Sequence, residues 1–193
     1  MDVQLAQTET GRDKLLDAAA KLFRDSAYRE VSVADITRVG GVQAPTLYHH
    51  FRDKEGLYVA WAEMALNRLG RSIVRGIEGK LSPRDQLGGV ALALLENQEL
   101  DLLVVMRDAK MTSRPQSQEG ILQAYLGAVF EPLGGVLVRA IERGKVRPEP
   151  IARMANVFVF GALSMGRAYA MERLDPESAA SWWTKRFMKG FGV

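Results

Sequence analysis

The side chains best suited to recognise another molecule lie between positions 38 and 54. Residues 43–51 read Gln-Ala-Pro-Thr-Leu-Tyr-His-His-Phe. On a helix that begins near Gln43, the small, flat and donor-bearing side chains project from one face, a combination that can approach the base edges of DNA. Longer polar groups such as Tyr48, His50 and Lys54 suit phosphates. The candidate contacts to nucleic acid are Arg38, Gln43, Ala44, Pro45, Thr46, Tyr48, His49, His50 and Lys54.

The same inventory argues against an enzyme or a metalloprotein. The sequence has two histidines and no cysteine, which excludes disulfides, thiolate zinc sites and cysteine nucleophiles. The histidines are neighbours at 49 and 50, about 100° apart on a helix, so they cannot share one ion. No phosphate-binding loop, dinucleotide fingerprint or zinc-protease motif is present. We therefore expect no catalytic residue, metal or cofactor. An all-helical enzyme with paired carboxylates stays an alternative, because spatial neighbours are invisible in a sequence.

Two short helices must position this face. Ser32 and Asp35 form a capping-box pattern for a helix that ends at Gly40-Gly41, and Pro45 fits the first turn of a second helix. A helix pair joined by a glycine turn is typical of a helix-turn-helix. Apolar spacing predicts that Val33, Ile36, Leu47 and Phe51 pack on Leu15, Ala19 and Phe23 of a preceding helix at about 11–26.

Helical periodicity continues through the rest of the chain. It predicts a long helix at about 53–78, then helices at 83–96, at 102–106, from 121 to near Gly144, at 150–172 and from Pro176 onward. Thr112 to Gln118, with Pro115, is predicted to be the main loop. The only strand-like alternation, at 31–33, is too short for a sheet. The fold class is therefore all-α, with about nine helices.

Length and charge fit this reading. The 193 residues are 47% hydrophobic and 25% charged, as in a compact soluble protein. The net charge of +3 is compatible with a polyanionic partner, although residues 1–60 hold eight basic and nine acidic side chains, so nucleic-acid contacts must depend on local placement. The start lacks signal-peptide features, and the apolar stretch 154–166 is shorter than the roughly 17 residues that a membrane helix needs. We expect a cytoplasmic protein without a membrane partner.

One part of the sequence resembles a known family. The strings Val-Ser-Val-Ala-Asp-Ile at 31–36, Gly-Val at 41–42 and Pro-Thr-Leu-Tyr-His-His-Phe-Arg-Asp-Lys-Glu-Gly-Leu at 45–57 are similar to the N-terminal domain of TetR-family transcriptional regulators. The resemblance covers about residues 12–60. It implies a helix-turn-helix DNA-binding domain at 1–52, with a recognition helix at 43–50 and phosphate contacts at Tyr48 and Lys54. It also implies a helical ligand-binding and dimerisation domain at 53–193. Gly40 and Pro45 depart from the common family residues, which leaves the base preference open.

The resemblance further implies a homodimer that binds a palindromic double-stranded DNA operator and is released by a small-molecule effector. The residues expected at the dimer interface, which could equally fill the protomer's own core, are Ala155, Val159, Ala162, Leu163, Gly166, Trp182, Trp183 and Phe187. The residues expected around the ligand, which could also belong to the core, are Trp61, Met64, Met106, Tyr125, Phe130, Phe158 and Met165. An effector-independent helical DNA-binding or interaction protein and a TetR-like activator are the alternatives.

Overall fold

The structure is a computed structural model that describes residues 10–97, 100–172 and 175–192. Nine continuous helices occupy these residues, as predicted, and no strand occurs among them. The seventh contains a π-helical turn at Leu126–Phe130. The helices are α1 Gly11–Asp25, α2 Val33–Gly40, α3 Ala44–Phe51, α4 Lys54–Ile77, α5 Pro83–Glu96, α6 Leu102–Ala109, α7 Pro115–Glu142, α8 Ile151–Glu172 and α9 Pro176–Phe191.

Side-chain caps determine where several helices begin. The Thr10 hydroxyl accepts the amide of Asp13, and the Asp13 carboxylate accepts the amide of Thr10. Ser32 and Asp35 make the same reciprocal pair at the start of α2. Such pairs satisfy amides that have no partner inside the helix. The polar residues at these positions therefore set the boundaries that the apolar spacing leaves approximate.

Two adjacent glycines form the turn between α2 and α3. Gly41 has φ +61° and ψ +34°, a left-handed conformation that disfavours any residue with a Cβ. Gly40 has a different reason to lack a side chain, since a Cβ there would lie 3.1 Å from the Lys14 carbonyl oxygen in α1. The glycine that departs from the family pattern therefore lets α2 approach α1 closely.

The described chain forms two compact units. Unit 1 comprises residues 10–64 and 100–122, which is α1 to α3, the first part of α4, α6 and the start of α7. It therefore extends past residue 52, where the sequence suggested a domain boundary. Its core is built as the apolar spacing predicts, since Leu15, Ile36 and Leu47 are fully buried. The rings of Phe23, Tyr28, Tyr58 and Trp61 form an aromatic cluster beside them.

Unit 2 comprises residues 65–97 and 123–192. Helix α5 packs against α7, α8 and α9. Between α8 and α9, the rings of Phe158 and Phe187 meet edge to face with centroids 5.0 Å apart. The indole N–H of Trp183 donates to the Phe158 carbonyl at 3.1 Å. Ring packing and a hydrogen bond from a side chain to the backbone thus join α8 and α9 within one protomer.

Among the described residues, α7 is the one helix with the length and composition to cross a membrane. Its apolar stripe serves unit 2, because Val129, Leu133, Val136 and Leu137 are fully buried there. The segment that the sequence assigned to a loop is partly helical, since α7 already begins at Pro115. Proline is well accommodated in a first helical turn, which is the reason for this error.

Candidate nucleic-acid interface

One face of α3 is buried and the opposite face is open to solvent. The buried side chains are Leu47 and Phe51, which lie in the core of unit 1. The exposed ones are Gln43, Pro45, Tyr48, His49 and His50, whereas Ala44 and Thr46 are half-buried. Tyr48 is 53% exposed although it is aromatic. Isolated exposed rings are common, but this one belongs to a continuous polar and aromatic face eight residues long.

The start of helix α1 packs against α3. The Thr46 methyl lies so close to Gly11 that a Cβ on Gly11 would be 2.8 Å from it. The Arg12 guanidinium lies over the Phe51 ring, 5.5 Å from its centroid. The start of α1 therefore flanks the exposed face of α3 and adds a cation to it. Within the described chain, no group of three or more histidine, cysteine, aspartate or glutamate residues could hold a metal ion.

Lys54 is hydrogen-bonded within the protein, whereas the sequence predicted that it contacts a DNA phosphate. Its ammonium donates to the backbone carbonyls of Tyr28 at 2.9 Å and Val31 at 2.8 Å. It also lies 4.3 Å from the centroid of the Tyr28 ring. Burial lowers the pKa of Lys54 from its usual value. Two of its three N–H donors are thus used to hold the turn between α1 and α2 against the start of α4.

The Glu55 side chain accepts four hydrogen bonds in unit 1. Its Oε2 accepts the amide and the hydroxyl of Ser113, at 2.9 and 2.6 Å, and its Oε1 accepts the amide and Nε of Arg114, at 3.0 and 3.1 Å. Its side chain is 8% exposed. Burial opposes ionisation, but hydrogen bonds from Ser113 and Ser117 and from the two amides outweigh it and lower the pKa of Glu55 to about 2.

Arg114 and Asp108 extend this polar cluster. The Arg114 guanidinium makes two hydrogen bonds to Asp53, at 2.7 and 3.0 Å, while Asp53 also accepts the Gly56 amide. Asp108, 4% exposed, accepts the Tyr28 amide at 2.7 Å. We define the polar cluster as Asp53, Glu55, Asp108, Ser113 and Arg114. Sequence reasoning missed it because its two parts, at 53–55 and 108–114, are more than fifty residues apart in the sequence. The run Asp53-Lys54-Glu55 at a helix start was the available signal.

Comparison with known proteins agrees with this geometry. Residues 15–61 match the family described as "Bacterial regulatory proteins, tetR family". This match covers α2, α3 and the turn between them. Residues 15–61 thus form a DNA-binding domain of the TetR family. The chain is accordingly a DNA-binding transcriptional regulator, and regulators of this family are not enzymes.

Several named regulators are similar to this chain in sequence or in structure. The chain is 23% identical to a fatty acid metabolism regulator protein of Bacillus subtilis strain 168, over 78% of each chain. It is 44% identical to the HTH-type transcriptional repressor ComR of Escherichia coli K12, over 30% of this chain and 27% of ComR. The structure of the transcriptional regulator FadR from Bacillus subtilis in complex with stearoyl-CoA has the same fold, with a TM-score of 0.75 and 17% identity, over 92% of this chain and 98% of FadR.

The residues suggested for a ligand in this TetR-family regulator fall in both units. Trp61 and Phe158 are buried within the ring clusters described above. Met64, Met106, Tyr125, Phe130 and Met165 are half-buried. None of the seven lines the cavity of about 520 Å³ in unit 2. That cavity lies between α4 and α7, and its lining includes the apolar Val74, Ala128 and Pro132 and the basic Arg71 and Arg75.

The residues suggested for the dimer interface fall into a buried group and a partly exposed group. Ala155, Val159, Ala162 and Phe187 are at most 3% exposed in the single chain, so they belong to the protomer's own core and present no surface to a partner. Leu163, Gly166 and Trp183 are half-buried, and Trp182 is 40% exposed. The exposed apolar side chains of α8 are Val157 and Phe160. They lie on the opposite face of α8 from the buried residues.

We predict that Glu55→Gln lowers the free energy of unfolding at pH 7 by roughly 2–4 kcal/mol, because a buried charged acceptor loses its charge beside Arg114. The loss should depend on pH. Since the folded pKa of about 2 lies below the usual 4.5, the contribution of Glu55 is fully present above pH 4.5 and disappears as the pH falls toward 2. Urea denaturation between pH 7 and pH 2.5 measures it.

The exposed Glu142 provides a matched control, because Glu142→Gln makes the same chemical change without burial. It should alter stability by less than about 0.5 kcal/mol at every pH. Equal effects of the two substitutions would contradict a stabilising role for the buried Glu55 carboxylate. A loss of unfolding free energy in Glu55→Gln that stays constant down to pH 2.5 would contradict it as well.

Proposed function

We propose that this TetR-family regulator is a cytoplasmic repressor that binds a palindromic operator as a homodimer and leaves it when a small-molecule effector binds. The observation that carries the DNA-binding part is the division of α3, with Leu47 and Phe51 buried and Gln43, Pro45 and His49 exposed. Repression is supported by relatives such as ComR, which is named a transcriptional repressor.

Recognition would place α3 in the major groove. The Gln43 amide suits paired hydrogen bonds to adenine, and the imidazole N–H groups of His49 suit acceptors on guanine. The exposed Pro45 offers flat apolar contact to the methyl group of thymine. The Tyr48 hydroxyl suits a backbone phosphate, as does Arg38, whose guanidinium is 71% exposed although it pairs with Asp35 at 3.0 Å. These side chains divide into groups that read sequence and groups that hold the backbone.

A second copy is required because one α3 spans too few base pairs for useful specificity. Among the side chains of the last two helices that the structure describes, the large apolar ones exposed in the protomer are Val157, Phe160 and Trp182. We place the dimer interface on this surface of α8 and α9 in preference to the buried residues that the sequence suggested. Two copies related by a two-fold axis would present their α3 helices to half-sites about 10 base pairs apart.

The proposed effector is an amphipathic anion with an acyl chain. The cavity in unit 2 combines apolar lining residues with two exposed arginines, and its volume of about 520 Å³ is within the range of roughly 300–1,000 Å³ for ligand pockets. The Bacillus subtilis relatives support the class, since one is named for fatty acid metabolism and FadR was solved with stearoyl-CoA. The phosphates of the coenzyme A moiety would meet Arg71 and Arg75, and the acyl chain would contact the apolar lining residues.

We predict that His49→Ala relaxes sequence preference, with a cost of about 1–3 kcal/mol at the base pair it contacts and little change on random DNA. Arg38→Ala should instead weaken binding to all duplexes alike, because phosphates carry no sequence information. Selection of operators from a random duplex pool, followed by titration of selected and random DNA, measures both. Identical losses on both DNAs for the two variants would contradict this division.

We predict that Val157→Asp combined with Phe160→Asp yields monomers, because two carboxylates would have to be buried at the interface. Leu122→Asp combined with Val138→Asp is the matched control, since these two side chains of α7 are 43% and 41% exposed. Analytical ultracentrifugation gives the mass. A dimer that survives the first pair, or dissociates only with the second, would place the interface elsewhere.

We predict that stearoyl-CoA raises the melting temperature and releases the protein from selected DNA, whereas coenzyme A alone does neither. Arg71→Gln with Arg75→Gln should weaken the release at least tenfold, because the anionic end loses its partners. Fluorescence anisotropy of labelled operator measures release. A response of the double variant equal to wild type would move the effector site, and no thermal shift with any acyl-CoA chain length would favour the effector-independent alternative.

A further inference from the structure

Arg52 combines an unfavourable backbone conformation with a free charge. It is the one residue other than glycine with a positive φ in the described chain, at φ 71° and ψ −46°. Its amide closes the last turn of α3 by donating to Tyr48 at 3.0 Å. A Cβ is strained in this region, and glycine is the residue that adopts it freely. A residue that keeps a long side chain at such a position needs another reason to be there.

The contacts of the Arg52 side chain do not explain why an arginine is kept at this position. The side chain is exposed, and within the part of the chain that the structure describes its guanidinium makes no hydrogen bond or ion pair. Removing it would leave no described partner unsatisfied. Its charge is therefore available to a molecule outside the protein.

Arg52 lines a concavity of about 630 Å³ directly beside the exposed face of α3. Arg12, Tyr48, His49 and His50 line the same concavity, so the two arginines border one space at the end of α3. Glu63 is the acidic side chain among the lining residues. A cationic concavity flanking a helix that reads base edges is suited to a phosphate of the strand that borders the groove.

Lys54, two residues away, is the cation that sequence alone favours for this task. Its ammonium points inward to the carbonyls of Tyr28 and Val31. Turning it outward would leave both carbonyls without these donors and would release the turn between α1 and α2. The two neighbouring cations therefore have different surroundings, one internal and one facing solvent.

We propose that Arg52 binds a DNA backbone phosphate at this concavity, with Arg12 beside it, and that Lys54 is a positioning residue that fixes the turn between α1 and α2. This proposal rests on the DNA-binding function proposed above and specifies which cation supplies the backbone contact. The strain at Arg52 is retained because a side chain at the end of α3 adds a second cation to the one that Arg12 supplies at this concavity.

The experiment measures binding to a labelled 40-base-pair random-sequence duplex as a function of KCl concentration, because non-specific binding depends on phosphate contacts and needs no known operator. Arg52→Gln should reduce the slope of log affinity against log salt by about 0.9, the value for one lost phosphate contact. Arg52→Lys should keep the wild-type slope. Lys54→Met should keep the slope and lower the melting temperature.

Two further variants complete the test. Arg52→Gly should reduce the slope as Arg52→Gln does but raise the melting temperature, because glycine relieves the strain. Arg84→Gln removes an exposed charge from unit 2 and should leave slope and melting temperature unchanged. An unchanged slope in both Arg52→Gln and Arg52→Gly would overturn the assignment of Arg52. A slope reduced in Lys54→Met at an unchanged melting temperature would overturn the assignment of Lys54.

Failure of the underlying function is distinguishable from failure of this proposal. A wild-type protein that binds no duplex at low ionic strength would contradict the DNA-binding function itself. Wild-type binding with a normal salt slope, together with unaffected Arg52 variants, would contradict only the choice of cation.

Discussion

The ionised carboxylate of Glu55 is the constraint on which the arrangement of unit 1 depends. A charge with 8% exposure is tolerated only when donors replace the water it has lost. Ser113 and Arg114 supply four such donors from the segment that joins α6 to α7. That segment must therefore lie against the start of α4, fifty-eight residues away in sequence. The fold of the N-terminal helices thus requires a part of the chain that lies outside the helix-turn-helix.

This constraint acts directly on the recognition helix. Helix α3 ends at Phe51, and the charged run Asp53-Lys54-Glu55 follows after one residue. Asp53 and Glu55 both bind Arg114, and Glu55 binds Ser113 as well. Lys54 binds the turn between α1 and α2. Helices α4 and α7 both begin at this polar cluster and continue into unit 2.

The helical periodicity was sufficient to predict the faces of the short helices, because burial of Leu47 and Phe51 follows from spacing alone. The direction of Lys54 was not predictable, since it depends on two carbonyl oxygens more than twenty residues away. The polar cluster was missed because a proline at 115 is compatible with both a loop and a first helical turn. The apolar residues of α8 also illustrate a limit of pattern analysis, because a core and an interface select the same side chains. Only solvent exposure separates Phe160 from Val159.

The central claim is that two copies of the protein place the exposed side of α3 in the major groove, both on the same side of the duplex. Dimethyl sulfate footprinting on a selected operator tests it most directly, because the reagent methylates guanine N7 in the major groove. The account predicts two protected blocks about 10 base pairs apart, related by two-fold symmetry. Protection of the sugar-phosphate backbone without any protection of N7, or a single protected block, would contradict it.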